Sequence, residues 1–115
     1  MSHSRIDLFR TMANDQPLDA LIWYGLASEC VKLEQWGEAA DALRNVLSLN
    51  PDYTAAYQML GTALLNQGDK EGARRAWMDG IEAATRTGAW KARQHMEGLL
   101  AGTSDEAGSG FCEKQ

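Results

Sequence analysis

The fold is decided by residues 23–30, which read WYGLASEC, and by residues 57–64, which read YQMLGTAL. The second stretch begins 34 residues after the first. In both stretches apolar or aromatic residues stand at the first, fourth and eighth positions, and a small residue stands at the fifth. This spacing of i, i+3, i+4 and i+7 places the four side chains on one face of an α-helix. The chain therefore repeats a helix that has one apolar face.

A second helix is predicted after each stretch, beyond short polar breaks at residues 33–37 and 66–69. Small residues in both helices allow two backbones to approach closely, while large residues fill the space beside them. Each unit is therefore predicted to be a helical hairpin, and the first one ends where Pro51 follows Asn50. The apolar face of the second helix carries Ala39, Leu43, Val46 and Leu47, and 34 residues later Ala73, Trp77, Gly80 and Ile81.

This repeat resembles the tetratricopeptide repeat family, whose signature is W-x2-L-G-x2-Y, then A-x3-F, then P. Cys30 and Leu64 replace an aromatic residue of that signature, and Thr85 stands where the second unit would place its proline. The resemblance implies an all-α fold, a right-handed superhelix of helical hairpins. The matching residues are Trp23, Leu26, Ala27, Cys30, Ala39, Leu43 and Pro51, then Tyr57, Leu60, Gly61, Leu64, Ala73 and Trp77.

The same register divides the chain into one repeat domain and a tail. Phe9 lies one period before Leu43, which predicts that a half-repeat precedes the first hairpin. Residues 101–115 are rich in glycine, serine and acidic residues, a composition typical of disorder. The predicted segments are a leading helix at about 4–16, repeats at 18–52 and 53–86, a capping helix at 88–100, and a disordered tail at 101–115. Ala89, Ala92, Met96 and Leu99 would form the apolar face of the capping helix.

Composition and charge exclude several classes of function. Hydrophobic residues make up 44% of the chain and charged residues 23%, as in ordinary globular proteins. The net charge of −5 disfavours attraction to nucleic acid or to an anionic membrane. The start carries no apolar run of signal-peptide length, and no stretch of 18 apolar residues occurs. We therefore expect a cytoplasmic protein that binds neither nucleic acid nor membrane.

No group of residues has the spacing of a catalytic or metal site. His3 and His95 are the only histidines, and they form no ligand pair. Ser28 and Cys30 lack a histidine base in their repeat, and Cys30 lies on the apolar face, which predicts a core position. We expect no enzyme activity, no metal and no cofactor.

The candidate partner-binding residues lie on the first helix of each hairpin, which lines the concave surface in proteins of this family. They are placed roughly 130° around the helix from the core face, at about 100° per residue. An exposed apolar patch of this kind marks a binding site, unless the tail, the leading helix or a second copy covers it. The candidates are Leu21, Tyr24, Ser28, Val31 and Lys32, then Ala55, Gln58, Thr62, Leu65 and Asn66.

The resemblance and this surface together predict a protein-binding adaptor that holds an extended or helical peptide segment of another protein. The alternative is a constitutive structural subunit or assembly factor of a larger complex, and a homo-oligomer is compatible with either. The family's best-known groove grips the C-terminal carboxylate of heat-shock chaperones with lysines, arginines and asparagines. Only Lys32 and Asn66 would be available for that contact here, which argues against such a partner.

Overall fold

A computed structural model describes the backbone of residues 2–108 and the side chains of residues 5–103. Within the described backbone the chain forms helices and no strand. None of the described helices is long and apolar enough to cross a membrane. The helices are α1 (Ser2–Asp15), α2 (Ala20–Lys32), α3 (Trp36–Leu49), α4 (Thr54–Asn66), α5 (Lys70–Thr87) and α6 (Trp90–Gly108).

The helices stack in chain order. Each one packs against its neighbours in sequence, and α4 also touches α6. The molecule measures 54 × 29 × 19 Å along its principal axes, an elongation expected when each repeat contacts only the adjacent ones. The predicted all-α architecture is confirmed: α1 is a leading half-repeat, α2 with α3 and α4 with α5 form the two hairpins, and α6 caps the stack.

The second hairpin is built on a close approach between α4 and α5. Gly61 of α4 is buried, and a Cβ atom placed there would overlap the pyrrole ring of Trp77 on α5. Trp77 is only 1% exposed, and its indole Nε1 donates a hydrogen bond of 3.3 Å to the carbonyl of Gln58. In the first hairpin the equivalent positions hold Ala27 and Leu43, both fully buried. A larger residue on one helix is thus matched by a smaller one on the other.

The loop before each hairpin is held by the same type of hydrogen bond. The indole Nε1 of Trp23 donates to the carbonyl of Pro17 at 2.8 Å, and the hydroxyl of Tyr57 donates to the carbonyl of Pro51 at 2.7 Å. Trp23 and Tyr57 are therefore half-buried rather than fully enclosed, with one polar atom turned towards the loop. The indole of Trp23 and the phenol of Tyr57 thus donate equivalent hydrogen bonds from equivalent positions of the two repeats.

The turn inside each hairpin also repeats. Glu34 and Gly68 stand 34 residues apart, and both have left-handed backbones, with φ of 57° and 89°. Glycine adopts this region freely, whereas another residue loses roughly 1 kcal/mol there. The first turn is therefore the more strained of the two.

The helix α1 is fastened to the first hairpin by ion pairs as well as by apolar contacts. Arg10 donates from Nε and Nη2 to the two carboxylate oxygens of Glu38 on α3, at 2.9 and 2.7 Å. Two parallel hydrogen bonds of this kind fix both distance and orientation. Ile6 and Ala13 of α1 are buried against the same hairpin.

The predicted boundary between capping helix and tail is wrong. The sequence placed the end of the helix at residue 100, but α6 continues to Gly108. Thr103 is only 6% exposed, and its hydroxyl donates to the carbonyl of Leu99 at 2.7 Å. The helix continues past residue 100 because Thr103 is packed within the fold. Amino-acid composition alone does not predict this packing. The rest of the predicted tail, residues 109–115, lies outside the described residues.

The pairing of Gly61 with Trp77 predicts non-additive mutations. Gly61→Ala should lower the free energy of unfolding by about 1–2 kcal/mol, because overpacking outweighs the gain in helix propensity. Trp77→Leu alone should cost more, since it leaves a cavity. The double variant reproduces the pair found in the first hairpin, so urea melts should give a favourable coupling of about 1 kcal/mol. If the losses in unfolding free energy of the two single variants simply add in the double variant, the close contact between Gly61 and Trp77 would be contradicted.

Burial of Cys30 predicts an unreactive thiol. The residue is fully buried, and burial, followed by the nearby carboxylate of Glu38, raises the pKa of its thiol to about 12. The thiolate is the reactive form, so in a Cys112→Ser background a thiol reagent at pH 8 should react at least about 100-fold more slowly in native buffer than in 8 M urea. Similar rates would mean that Cys30 is accessible in the folded protein.

Candidate functional site

A pocket of about 260 Å³ lies between the first helices of the two hairpins, and we call it the α2–α4 pocket. All the residues that line this pocket, except Met59, belong to the surface that the sequence analysis selected. Its lining consists of Tyr24 and Val31 from α2, and Ala55, Gln58, Met59 and Thr62 from α4.

Tyr24 forms the aromatic wall of this pocket. Its ring stacks on Tyr53, with centroids 4.9 Å apart and an angle of 23° between the planes. Burial, with a smaller contribution from Tyr53, raises the pKa of Tyr24 above its ordinary value. The phenol is therefore neutral at physiological pH and carries a hydroxyl proton that it can donate.

Two polar groups of the pocket are available to a ligand. Within the described part of the chain, neither the Tyr24 hydroxyl nor the side-chain amide of Gln58 has a hydrogen-bond partner. The hydroxyl of Thr62 differs, because it donates to the carbonyl of Gln58 at 3.2 Å. A phenol and a primary amide together can donate to and accept from the backbone of a peptide.

The charged and amide groups at the C-terminal ends of α2 and α4 are already engaged. Lys32 Nζ lies 3.2 Å from Glu29 Oε2, and Glu29 is only 6% exposed. Arg5 Nη1 approaches the same carboxylate oxygen at 3.8 Å. Asn66 donates its amide to the carbonyl of Thr62 at 2.8 Å. Each of the two groups that a carboxylate ligand would need thus has a partner within the chain, and the Lys32 side chain is 63% exposed.

A second pocket, of about 300 Å³, lies on the other side of α4, and we call it the α4–α6 pocket. Trp77 reaches it from α5, so the residue that fills the core of the second hairpin also contributes to this surface. The lining consists of Leu65, Trp77, Gly98, Leu99, Gly102 and Thr103.

The structure places the ten candidate partner-binding residues in three different locations. Leu21 is 69% exposed at the start of α2 and, with Ser28, Lys32 and Asn66, lies outside the lining of both pockets. Leu65 lines the α4–α6 pocket only. The structure brings the other five together in the α2–α4 pocket: Tyr24, Val31, Ala55, Gln58 and Thr62.

Sequence reasoning missed Met59 and the lining that α6 supplies. Met59 follows Ala55 by four residues and so shares its helix face, but its counterpart one period earlier is Gly25, which presents no side chain. Gly98 and Gly102 are also four residues apart, which places both on one face of α6. This four-residue spacing is the signal in the sequence that could have indicated the lining, whereas the prediction for α6 used only its apolar face.

The described side chains form no centre for metal chemistry. Among residues 5–103, no three His, Cys, Asp or Glu side chains lie close enough together to hold a metal ion. Cys30 lies in the core and outside both pockets. The α2–α4 and α4–α6 pockets are lined by uncharged residues.

Comparison with known proteins agrees with this architecture. The profile of the family described as Tetratricopeptide repeat matches residues 24–89. The chain is 32% identical over 82 residues to the TPR repeat-containing protein PA0015 of Pseudomonas aeruginosa, a match that covers 71% of this chain and 78% of that protein.

Solved structures show the same fold. Protein BPP2914 from Bordetella parapertussis superimposes with a TM-score of 0.77 at 28% identity, covering 90% of each chain. The Sgt2 TPR domain from Aspergillus fumigatus gives 0.72 at 19% identity, covering 99% of this chain and 76% of that one. At that identity the second likeness concerns the fold alone. The chain belongs to the tetratricopeptide repeat family, whose fold is a protein–protein interaction module.

Proposed function

We propose that the chain is an adaptor that binds a peptide segment of another protein along α2 and α4. The observation that carries this proposal is the α2–α4 pocket, where the Tyr24 hydroxyl and the Gln58 amide, which have no hydrogen-bond partner among the described residues, share a lining with apolar side chains. Such a mixture suits a peptide, whose backbone needs hydrogen bonds and whose side chains need apolar contacts.

Exposed apolar residues just before α2 and in its first turn support a larger contact area. Leu18, in the turn before α2, is 82% exposed, and Leu21, in the first turn of α2, is 69% exposed. Single exposed leucines are common on protein surfaces. We propose that these two leucines extend the apolar contact surface of Tyr24, which follows Leu21 by three residues in α2; such surfaces mark protein-binding sites.

We predict that Tyr24→Ala combined with Gln58→Ala weakens peptide binding at least tenfold, which corresponds to about 1.4 kcal/mol. Both changes remove hydrogen-bonding groups, and the first also removes an aromatic anchor. The probe is the best binder selected from a random dodecapeptide library on phage, synthesised with acetylated and amidated ends. Its Kd is measured by fluorescence anisotropy, and a thermal melt checks that the variant is folded.

The control variant is Met78→Ala, which removes an apolar side chain that is 47% exposed on α5 and lies outside both pockets. It should bind the peptide as the wild type does. Selection of no binder, or equal affinities for the wild type and the folded Tyr24→Ala and Gln58→Ala variant, would refute the proposed function.

A further inference from the structure

The two ends of the helix stack differ in their outer faces. At one end the ring of Trp90 lies under the guanidinium of Arg93, whose Cζ is 5.5 Å from the ring centroid. The exposed side chains in the two turns of α6 that follow are polar: Lys91, Gln94, His95 and Glu97. At the other end Leu8 of α1 is 58% exposed. A terminal unit of a repeat array needs a polar outer face where it meets solvent. The outer face of α1 is thus suited to contact with another molecule.

Four residues form one stripe along the outer face of α1, and we call it the α1 stripe. Leu8 lies about 160° around the helix from the buried Ile6, at about 100° per residue, so it points away from the core. Arg5, Met12 and Asp15 complete the stripe at steps of three and four residues, the spacing at which side chains face a second helix in a coiled coil. Met12 is half-buried, whereas Arg5 and Asp15 are exposed. The stripe therefore has an apolar middle and a charge at each end.

The two charges of the α1 stripe are available to a partner. Asp15 makes no side-chain hydrogen bond or ion pair within the described part of the chain. Arg5 Nη1 lies 3.8 Å from Glu29 Oε2, and the Arg5 side chain stays 62% exposed, so this contact contributes little. Lys32 lies closer to the same carboxylate oxygen, at 3.2 Å. Arg5 can therefore bind a second carboxylate without leaving Glu29 uncompensated.

The order of residues in the α1 stripe is self-complementary. It reads positive, apolar, apolar, negative, so a second α1 that runs antiparallel places its Asp15 opposite Arg5. In the same alignment the Met12 of the second copy faces Leu8. Both contacts recur on the other side of a twofold axis, as an isologous interface requires. A parallel alignment would bring Arg5 to Arg5 and Asp15 to Asp15, and repulsion between like charges disfavours it.

We infer that the α1 stripe is the interface of a symmetric homodimer in which the two α1 helices pack antiparallel. The 14 residues of α1 span about 21 Å, so the contact is smaller than the roughly 1,200–2,000 Å² of a stable complex, and the dimer dissociates on dilution. The lining of the α2–α4 pocket includes no residue of α1. Dimerisation therefore leaves two such pockets open, and the inference does not depend on what they bind.

Sedimentation velocity of the full chain between 5 and 500 µM tests the dimer. The wild type should pass from the mass of one chain, 12.6 kDa, towards twice that value as the concentration rises. Leu8→Ala should raise the dimer Kd at least tenfold, because it removes one apolar contact from each half of the interface. Its melting temperature at 5 µM should equal that of the wild type, since Leu8 is exposed in the monomer. Met78→Ala is the matched control, as Met78 is 47% exposed on α5, and it should leave the Kd unchanged.

A charge reversal tests the antiparallel alignment. Asp15→Arg turns two attractive contacts into two repulsive ones, so the dimer Kd should rise at least tenfold. Adding Arg5→Gln to this variant removes the repulsion and should lower the Kd again at least threefold. Asp79→Arg makes the same change of charge at an exposed position of α5 and should have no effect on the Kd. In a parallel dimer Asp15→Arg would only replace one like-charge pair by another.

Three outcomes would overturn the inference. A wild type that stays monomeric at 500 µM excludes the dimer. If the folded Leu8→Ala variant dimerises as the wild type does, the interface lies elsewhere. If Leu8→Ala weakens the dimer but Asp15→Arg does not, the antiparallel alignment is wrong. The Tyr24→Ala and Gln58→Ala variant should dimerise normally, so failure of the proposed peptide binding is distinguished from failure of this inference.

Discussion

The close contact between Gly61 and the indole of Trp77 is the constraint on which the second hairpin and both pockets depend. Because α4 can approach α5 only where it lacks a side chain, the contact sets the rotation of α4 about its axis. That rotation turns Gln58 and Thr62 towards α2. Trp77 also holds the carbonyl of Gln58 and forms part of the α4–α6 pocket, so core and surface share one residue.

The repeat conserves physical functions between its two copies more closely than it conserves residues. Trp23 and Tyr57 differ in shape, yet each donates one hydrogen bond to the carbonyl of the proline six residues before it. The hairpin contact uses alanine with leucine in one copy and glycine with tryptophan in the other. In the first case the donor position is retained, and in the second a larger residue on one helix is matched by a smaller one on the other. A solenoid permits this because each unit packs mainly against adjacent helices.

Some ion pairs of this protein join separate elements, whereas the α2–α4 and α4–α6 pockets are lined by uncharged residues. Arg10 binds Glu38 between α1 and α3, and Arg86 Nη2 lies 2.6 Å from Asp52 Oδ1, which ties α5 to the loop before α4. Lys32 is compensated by Glu29. With the charges near the groove paired, selectivity for a partner would come from shape and hydrogen bonding, and association would gain little from electrostatic steering.

The sequence by itself determined the helices, their order and the face that each one buries, because a 34-residue period and the i, i+3, i+4, i+7 spacing are local properties of the chain. It also selected Tyr24 and Gln58 as outward-facing residues. Only the tertiary structure decided that Leu65 belongs to a different pocket from Thr62, that Gly98 and Gly102 open space beside Trp77, and that α6 continues to Gly108. A pocket between two helices depends on their separation and rotation, which follow from long-range packing and are not specified by the periodic pattern of either helix alone.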